Sequence, residues 1–391
     1  MPVTRADIKT VSCLKLQQRK KMKNSPYKNR LKNLRKKIKD KTPDMLWIVQ
    51  PENRRYLSGF RAADTQLNES SGSLFITGKK AILITDSRYT VEAENEAVDF
   101  RIVTQKGTFQ DELLRQVEKA KGKCLGFEGD HVTWNLHKQL ASKLKKLPSP
   151  VKMKPLNDLI EKTREIKDDT EISLMKRASD MMSKVLNRVL DTLEPGQAEK
   201  EIARRIEAFS FEAGAEGMAF DSIVASGPNA ALPHAVPTDR KIKKRDHIIF
   251  DVGLKVDGYC CDMTRTIFMG TPDKKIKEIY EIVREAQLAA LEYVRPGEIS
   301  TKPDSVARDI IKKAGYGKYF GHSLGHGVGL ATHEAPRLSP RDPVTLEEGM
   351  VVTVEPGIYL PGKGGVRLEE MIAIEKNGPQ ILTKNDKYYD F

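Results

Sequence analysis

The chain of 391 residues, 39% hydrophobic and 31% charged, is long enough for two domains with a core each. No apolar run approaches the roughly 18 residues of a membrane-spanning helix, which excludes an integral membrane protein of that kind. The net charge of +13 belongs to one end: residues 1–41 hold 15 Lys/Arg against Asp7 and Asp40, and the rest is balanced, so the body carries no general signal for nucleic acid.

Four readings fit the basic stretch 1–28: a solvated or RNA-brushing arm, a mitochondrial-type presequence, a membrane-surface segment, or an extension ahead of a start at Met22. Arginine and serine are sparse beside lysine and no secretory apolar segment is present, which favours a solvated extension. From residue 29 helical and strand patterns alternate. NRLKNLRKKIKD predicts a basic helix, DMLWIVQ a buried strand, and SLFITGKKAILITD two strands around Gly78. FRIVTQ and KCLGFEG are further strands, separated by the helical TFQDELLRQVEKAK. This is a mixed α/β domain over 29–160, ending near the Lys/Pro-rich KLKKLPSPVKMKP.

The second domain, 161–391, opens with DDTEISLMKRASDMMSKVLNRVLDTLEPG, an amphipathic helix with an acidic capped start, stopped by Pro195 and Gly196. An internal echo follows. LEPG with Ala213-Gly214 and VRPG with Ala314-Gly315 repeat at an offset of 101 residues, and each copy leads into strands bearing two acids. The pattern predicts a duplicated unit of helix, helix and antiparallel strands. The cysteines, Cys13, Cys124, Cys260 and Cys261, have no CxxC or disulfide spacing and suit a reducing, cytoplasmic setting. Vicinal Cys260 and Cys261 read as small strand residues, with a redox role as the lesser option.

In DHIIFDVGLKVDGYCCDMTRTIFMG, Asp257-Gly258 marks a hairpin. A four-residue loop sets Asp251 opposite Asp262, whereas a two-residue loop sets Asp251 opposite Thr264 and still leaves Asp262 on the same face. Facing carboxylates repel, so a positive partner is required between them unless one aspartate caps a turn or pairs with Arg265. In VVTVEPGIYLPGKGGVRLEEMIAI, Val366, Leu368, Ile372 and Ile374 define one face and Arg367, Glu369 and Met371 the other, which favours Glu369 over Glu370 as a functional acid. Glu355 ends its strand before Pro356-Gly357. Four carboxylates balance two divalent cations, and with an imidazole from SLGHGVGLATHE they suit Mn, Co or Zn. His131, His137 and His247 read as surface or structural residues. His322 lies four before His326, but the glycines around it argue against the helix that this pairing would need.

FDVG, CDMTRT, GHGVG, VEPG and VRLEE together resemble the five-ligand dinuclear signature of the pita-bread metallopeptidases, over residues 165–391. NRRYLSGF and LITDSRYTVEA are similar to the creatinase-type amino-terminal domain that accompanies it, and residues 1–28 have no counterpart. The implied fold class is α/β, a creatinase-type domain followed by a duplicated α+β catalytic domain.

The resemblance implies that Asp251 chelates one metal, His326 and Glu355 the other, and that Asp262 and Glu369 bridge both. His234 and His333 match pocket histidines that donate hydrogen bonds to substrate, and Arg367 braces a ligand carboxylate. A metal-bridging hydroxide is the implied nucleophile, with Glu355 passing a proton to the leaving nitrogen. Cys261 departs from the serine or alanine expected there. The implied activity is that of an Xaa-Pro aminopeptidase, with an Xaa-Pro dipeptidase as the alternative, acting on proline-containing peptides with two divalent ions, manganese foremost. A cytoplasmic homodimer with no membrane or specific nucleic-acid partner completes the expectation. From a different class stands a non-catalytic protein- or RNA-binding module on a peptidase fold, against which the intact ligand set counts.

Overall fold

The computed structural model describes residues 25–39, 42–64, 66, 69–389 and 391, so most of the 1–28 extension, Met22 and Cys13 lie outside the described residues. The chain divides into two compact units between Ile160 and Glu161. Among the described residues no helix is long and apolar enough to cross a membrane.

The first unit is built on apolar strand runs. β1 (Met45–Ile48), β2 (Ser73–Thr77), β3 (Ala81–Thr85), β4 (Arg101–Thr104), β5 (Cys124–Glu128) and β6 (Lys152–Leu156) form one sheet in the order β4-β3-β2-β1-β5-β6. β1–β2 and β2–β3 are antiparallel, and the other pairs are parallel. β1 is buried throughout, as a central strand covered on both faces must be. The helix Pro26–Ile38 begins three residues before the predicted start, and Leu31, Leu34 and Ile38 bury its apolar stripe. The Lys/Pro-rich stretch near the domain end supplies β6, an edge strand where Pro155 is tolerated because its missing N–H faces no neighbour.

The second unit repeats itself. The helix Asp169–Leu190 starts on a capping box between Asp168 and Glu171, and pairs with Glu199–Glu212. Lys274–Leu291 pairs in the same way with Thr301–Lys313. Between the helices of each pair the chain is pinned alike: the Gly196 amide donates to the Ile242 carbonyl at 2.8 Å, and the Gly297 amide to that of Leu346 at 2.9 Å.

The strands follow suit. The first copy has β7 (Gly217–Met218), β8 (Ile223–Ser226), β9 (His247–Val252), β10 (Leu254–Val256), β11 (Tyr259–Cys260) and β12 (Met263–Phe268), in the sheets β12-β9-β8 and β11-β10-β7. The second has β13 (Gly325–Gly327), β14 (Glu334–Leu338), β15 (Val351–Val354), β16 (Gly357–Leu360), β17 (Gly364–Arg367), β18 (Glu370–Glu375) and β19 (Gly378–Ile381). They form the sheet β14-β13-β15-β18-β19 and the ribbon β16-β17. β8-β9-β12 and β13-β15-β18 are equivalent antiparallel trios, each backed by a helix pair, which is the pita-bread arrangement.

Glu370, assigned from alternation to an apolar face, is buried but not unpaired. Arg265, fully buried, donates to its Oε1 at 3.1 Å, and Thr383 and Tyr388 donate to it as well. Arg265 therefore serves Glu370 and not an aspartate of its own hairpin.

Candidate metal centre

Each copy supplies two carboxylates from matching places. Asp251 lies near the end of β9 and Asp262 directly precedes β12, while Glu355 directly follows β15 and Glu369 directly precedes β18. The hairpin uses the two-residue turn: Asp257 and Gly258 both have positive φ, 47° and 83°, as a twist-matched turn requires. Asp251 then pairs with Thr264, so the four-residue loop that would set Asp251 directly against Asp262 is ruled out. Both acids keep the same face, since side chains alternate with period two.

His326, the middle residue of β13, completes the group. Ligand atoms of Asp262, His326 and Glu369 lie within 4.8 Å of one another. His326 Nε2 is 3.8 Å from Asp262 Oδ2 and 3.4 Å from Glu355 Oε1. Its Nδ1 is 3.0 Å from the Gly327 carbonyl, which assigns the proton to Nδ1 and leaves the Nε2 lone pair facing the acids. Burial pushes the imidazole down to about 4, so it is neutral at pH 7 and cannot offset the carboxylates.

The acids are correspondingly unsettled. Burial first, then the charges of Glu369, Asp251 and Glu355, push Asp262 well above the usual carboxylate range. Burial, then Glu355 and Asp251, do the same to Glu369, and burial lifts Glu355 to about 8. The Arg367 guanidinium reaches into this group, its Nη2 2.6 Å from Asp251 Oδ2. Asp251 Oδ1 is buried with no hydrogen-bond partner among the described residues. An oxygen-rich set with one bare imidazole nitrogen, an orphaned carboxylate oxygen and excess negative charge fits divalent cations.

A layer of hydrogen bonds aims these groups. Thr264 Oγ1 donates to Glu369 Oε2 at 2.8 Å, and Thr353 Oγ1 to Glu355 Oε1 at 3.3 Å. Arg367 also donates to the Pro233 carbonyl, to Thr264 Oγ1 and to the Tyr359 hydroxyl. That hydroxyl is 2.9 Å from His322 Nε2, while His322 Nδ1 faces the Ser323 carbonyl at 2.8 Å. His322 is thus occupied by Tyr359, consistent with leaving it out of the ligand set.

The four acids, His326 and Arg367 open on a cavity of about 570 Å³ whose wall also includes His234, His333 and Arg337. The His333 ring packs edge-on to His326, centroids 4.4 Å apart. Arg337 pairs directly with His326 across β13–β14 and so shares its face. All eight residues singled out from the sequence, Asp251, Asp262, His326, Glu355, Glu369, His234, His333 and Arg367, line this one cavity. Sequence reasoning missed Thr264, Thr353, Tyr359 and Arg337. Period-two spacing, two residues after Asp262 and two before Glu355, pointed at the threonines. Nothing local marked Tyr359 or Arg337. Cys260 and Cys261 are both fully buried, and burial raises the Cys261 thiol, which disfavours its reactive thiolate. His247 is buried, His131 exposed, and His137 half-buried against Phe127 and Trp134.

A buried cluster of four carboxylates and an imidazole, set symmetrically in a duplicated fold, defines a metal-dependent hydrolase. Residues 173–376 match the model of metallopeptidase family M24, and residues 30–166 that of the creatinase/prolidase N-terminal domain. The chain belongs to metallopeptidase family M24. It is 40% identical to an Xaa-Pro dipeptidase of Pyrococcus horikoshii, over 88% of this chain and 93% of that one. Among solved structures it is similar to an Xaa-Pro dipeptidase from Bacillus anthracis, with a TM-score of 0.86, 38% identity, and 93% and 99% of the two chains covered. It is also similar to an X-Pro aminopeptidase from Thermotoga maritima, with a TM-score of 0.80, 38% identity, and 88% and 96% covered.

Proposed function

We propose that this chain hydrolyses Xaa-Pro bonds, and that its substrates are Xaa-Pro dipeptides. The observation that carries the dipeptidase assignment is Arg337. A dipeptide presents its free carboxylate one residue beyond the scissile bond, and the pocket must meet that charge. The Arg337 guanidinium lines the cavity and has no hydrogen-bond or ion-pair partner among the described residues, whereas Arg367 is already committed to Asp251 and Tyr359. The dipeptidases of Pyrococcus horikoshii and Bacillus anthracis support the same choice over the aminopeptidase expected from the motifs.

Asp251 would hold one ion, His326 and Glu355 the other, with Asp262 and Glu369 shared between them. Manganese suits this donor set, with cobalt or zinc as alternatives. When bound, such a pair supplies Lewis acidity and makes water a stronger acid. Glu355 is the carboxylate that would carry a proton to the proline nitrogen as the bond breaks. His234 and His333 donate hydrogen bonds to the scissile carbonyl and its developing charge. Arg367 keeps Asp251 in place through the Asp251 Oδ2 contact.

The test compares Leu-Pro with Leu-Pro-Gly on manganese-loaded protein, products being separated by chromatography. A kcat/KM at least about ten-fold higher for Leu-Pro supports the dipeptidase, a difference of about 1.4 kcal/mol in transition-state binding. Preference for the tripeptide transfers the assignment to an Xaa-Pro aminopeptidase, the second reading, which the likeness to the Thermotoga maritima enzyme favours. Failure to cut either peptide sinks both.

A further inference from the structure

Behind the turn that presents His333 lies a buried ion cluster that the chemistry above does not use. The Glu334 carboxylate meets Arg164 through Oε1 and Lys167 through Oε2, the latter at 3.4 Å. The three side chains are 8%, 4% and 1% exposed. Burial opposes ionisation of Glu334, but Lys167 and Arg164 outweigh it and hold the carboxyl below its usual range. Burying three charges is a poor way to gain stability, because desolvation offsets most of the Coulomb attraction. Such a cluster is better explained by the geometry that it enforces.

That geometry is specific. Glu334 Oε1 also accepts the Ala331 amide at 2.9 Å, closing the turn back on itself. A Cβ at Gly329 would come within 2.7 Å of this carboxylate, so a larger residue there would displace it from its present position. The Gly329 carbonyl is pinned by the Cys260 amide at 2.8 Å, and Thr332 Oγ1 donates to the Ala219 carbonyl at 3.0 Å. His333 is therefore held between two anchored neighbours. His333 directly precedes β14 and lines the cavity, while Glu334, the first residue of the strand, is held in the cluster, so the anchor sits next to the imidazole in the chain.

We propose that Glu334, gripped by Arg164 and Lys167, is a positioning residue that sets the His333 imidazole for its hydrogen bond to the substrate. This rests on the role given to His333 above. None of Arg164, Lys167 and Glu334 lines the cavity, so an effect on the substrate runs through the turn that carries His333.

The experiment is a double-mutant cycle of Glu334→Gln and His333→Ala on manganese-loaded protein with Leu-Pro, metal content being measured for each variant. Glu334→Gln is expected to lower kcat about ten-fold or more with KM within about two-fold, and to change kcat less than about two-fold once His333 is absent. An equal loss in both backgrounds overturns the proposal, because a merely structural role would persist without His333. If Glu334→Gln fails to fold, the charge-balanced Glu334→Gln/Lys167→Met pair takes its place with the same expectation. The second readout is independent of activity. The His333 ring signal in ¹H–¹³C NMR of metal-free protein, identified by its loss in His333→Ala, is expected to shift in Glu334→Gln while that of His131 stays. An unmoved His333 signal overturns the proposal. Should wild-type protein leave Leu-Pro uncut, the proposed function falls, and this NMR signal decides the positioning claim by itself.

Discussion

Thr264 and Glu369 clasp each other across the two copies of the repeat: the threonine hydroxyl donates to Glu369 Oε2 at 2.8 Å, and the Glu369 amide donates to the Thr264 carbonyl at 3.1 Å. One bond aims the carboxylate and the other joins the strand systems, so the centre is assembled where the halves meet. Thr264→Val keeps the shape and the backbone bond and removes the hydroxyl. Metal affinity should fall by about 10- to 100-fold with little change in fold, as measured by competition with a chromophoric chelator. Unchanged affinity would show that Glu369 needs no such brace.

Arg367→Lys should be far from conservative. The guanidinium serves Asp251, Thr264, Tyr359 and the Pro233 carbonyl at once, and a lysine ammonium cannot span that fan. The expected outcome is a loss of about 100-fold or more in kcat/KM together with weaker metal binding. Steady-state kinetics and metal analysis of the same preparation check it.

Arg337→Ala should raise KM for Leu-Pro by about ten-fold or more and leave Leu-Pro-amide nearly untouched, since only the free acid carries the charge that the arginine would meet. Equal effects on the two substrates would mean that Arg337 recognises something else.

Asp262→Asn should move metal-free stability and metal affinity in opposite directions. Burial and the neighbouring carboxylates disfavour ionised Asp262, so neutralising it relieves the metal-free protein. Stabilisation of about 1–2 kcal/mol in chelator-treated urea melts is expected, alongside loss of metal binding. A destabilised metal-free variant would contradict the repulsion inferred for this cluster.

His247 sets a pH dependence. Burial lowers its folded value to about 4, against about 6.5 in the unfolded chain, so the unfolded state binds the proton first. The stability due to the neutral ring is present above pH 6.5 and is lost as pH falls toward 4. His247→Asn should flatten the decline of the urea midpoint between pH 7 and pH 4.5, whatever its effect on absolute stability. An unchanged slope would assign acid sensitivity to other groups.

Much of this protein is legible locally. Alternation with period two put Asp251 and Asp262 on one face and separated Glu369 from Glu370, and Asp257-Gly258 marked the turn. The 101-residue echo announced two equivalent halves. These are properties of neighbouring residues, which backbone geometry and side-chain periodicity dictate without reference to the rest of the chain. Tertiary structure alone decided the register that pairs Asp251 with Thr264, the assignment of Arg265 to Glu370, the placement of Arg337 beside His326, and the grip of Arg164 and Lys167 on Glu334. Most of these partners are far apart in the chain, Arg164 and Glu334 by 170 residues, and apart from Asp251 and Thr264, which the local turn left as one of two options, none is signalled by local preference. A buried charge takes whichever partner the packing brings within reach, because leaving it unpaired costs more than any preference along the chain can offset.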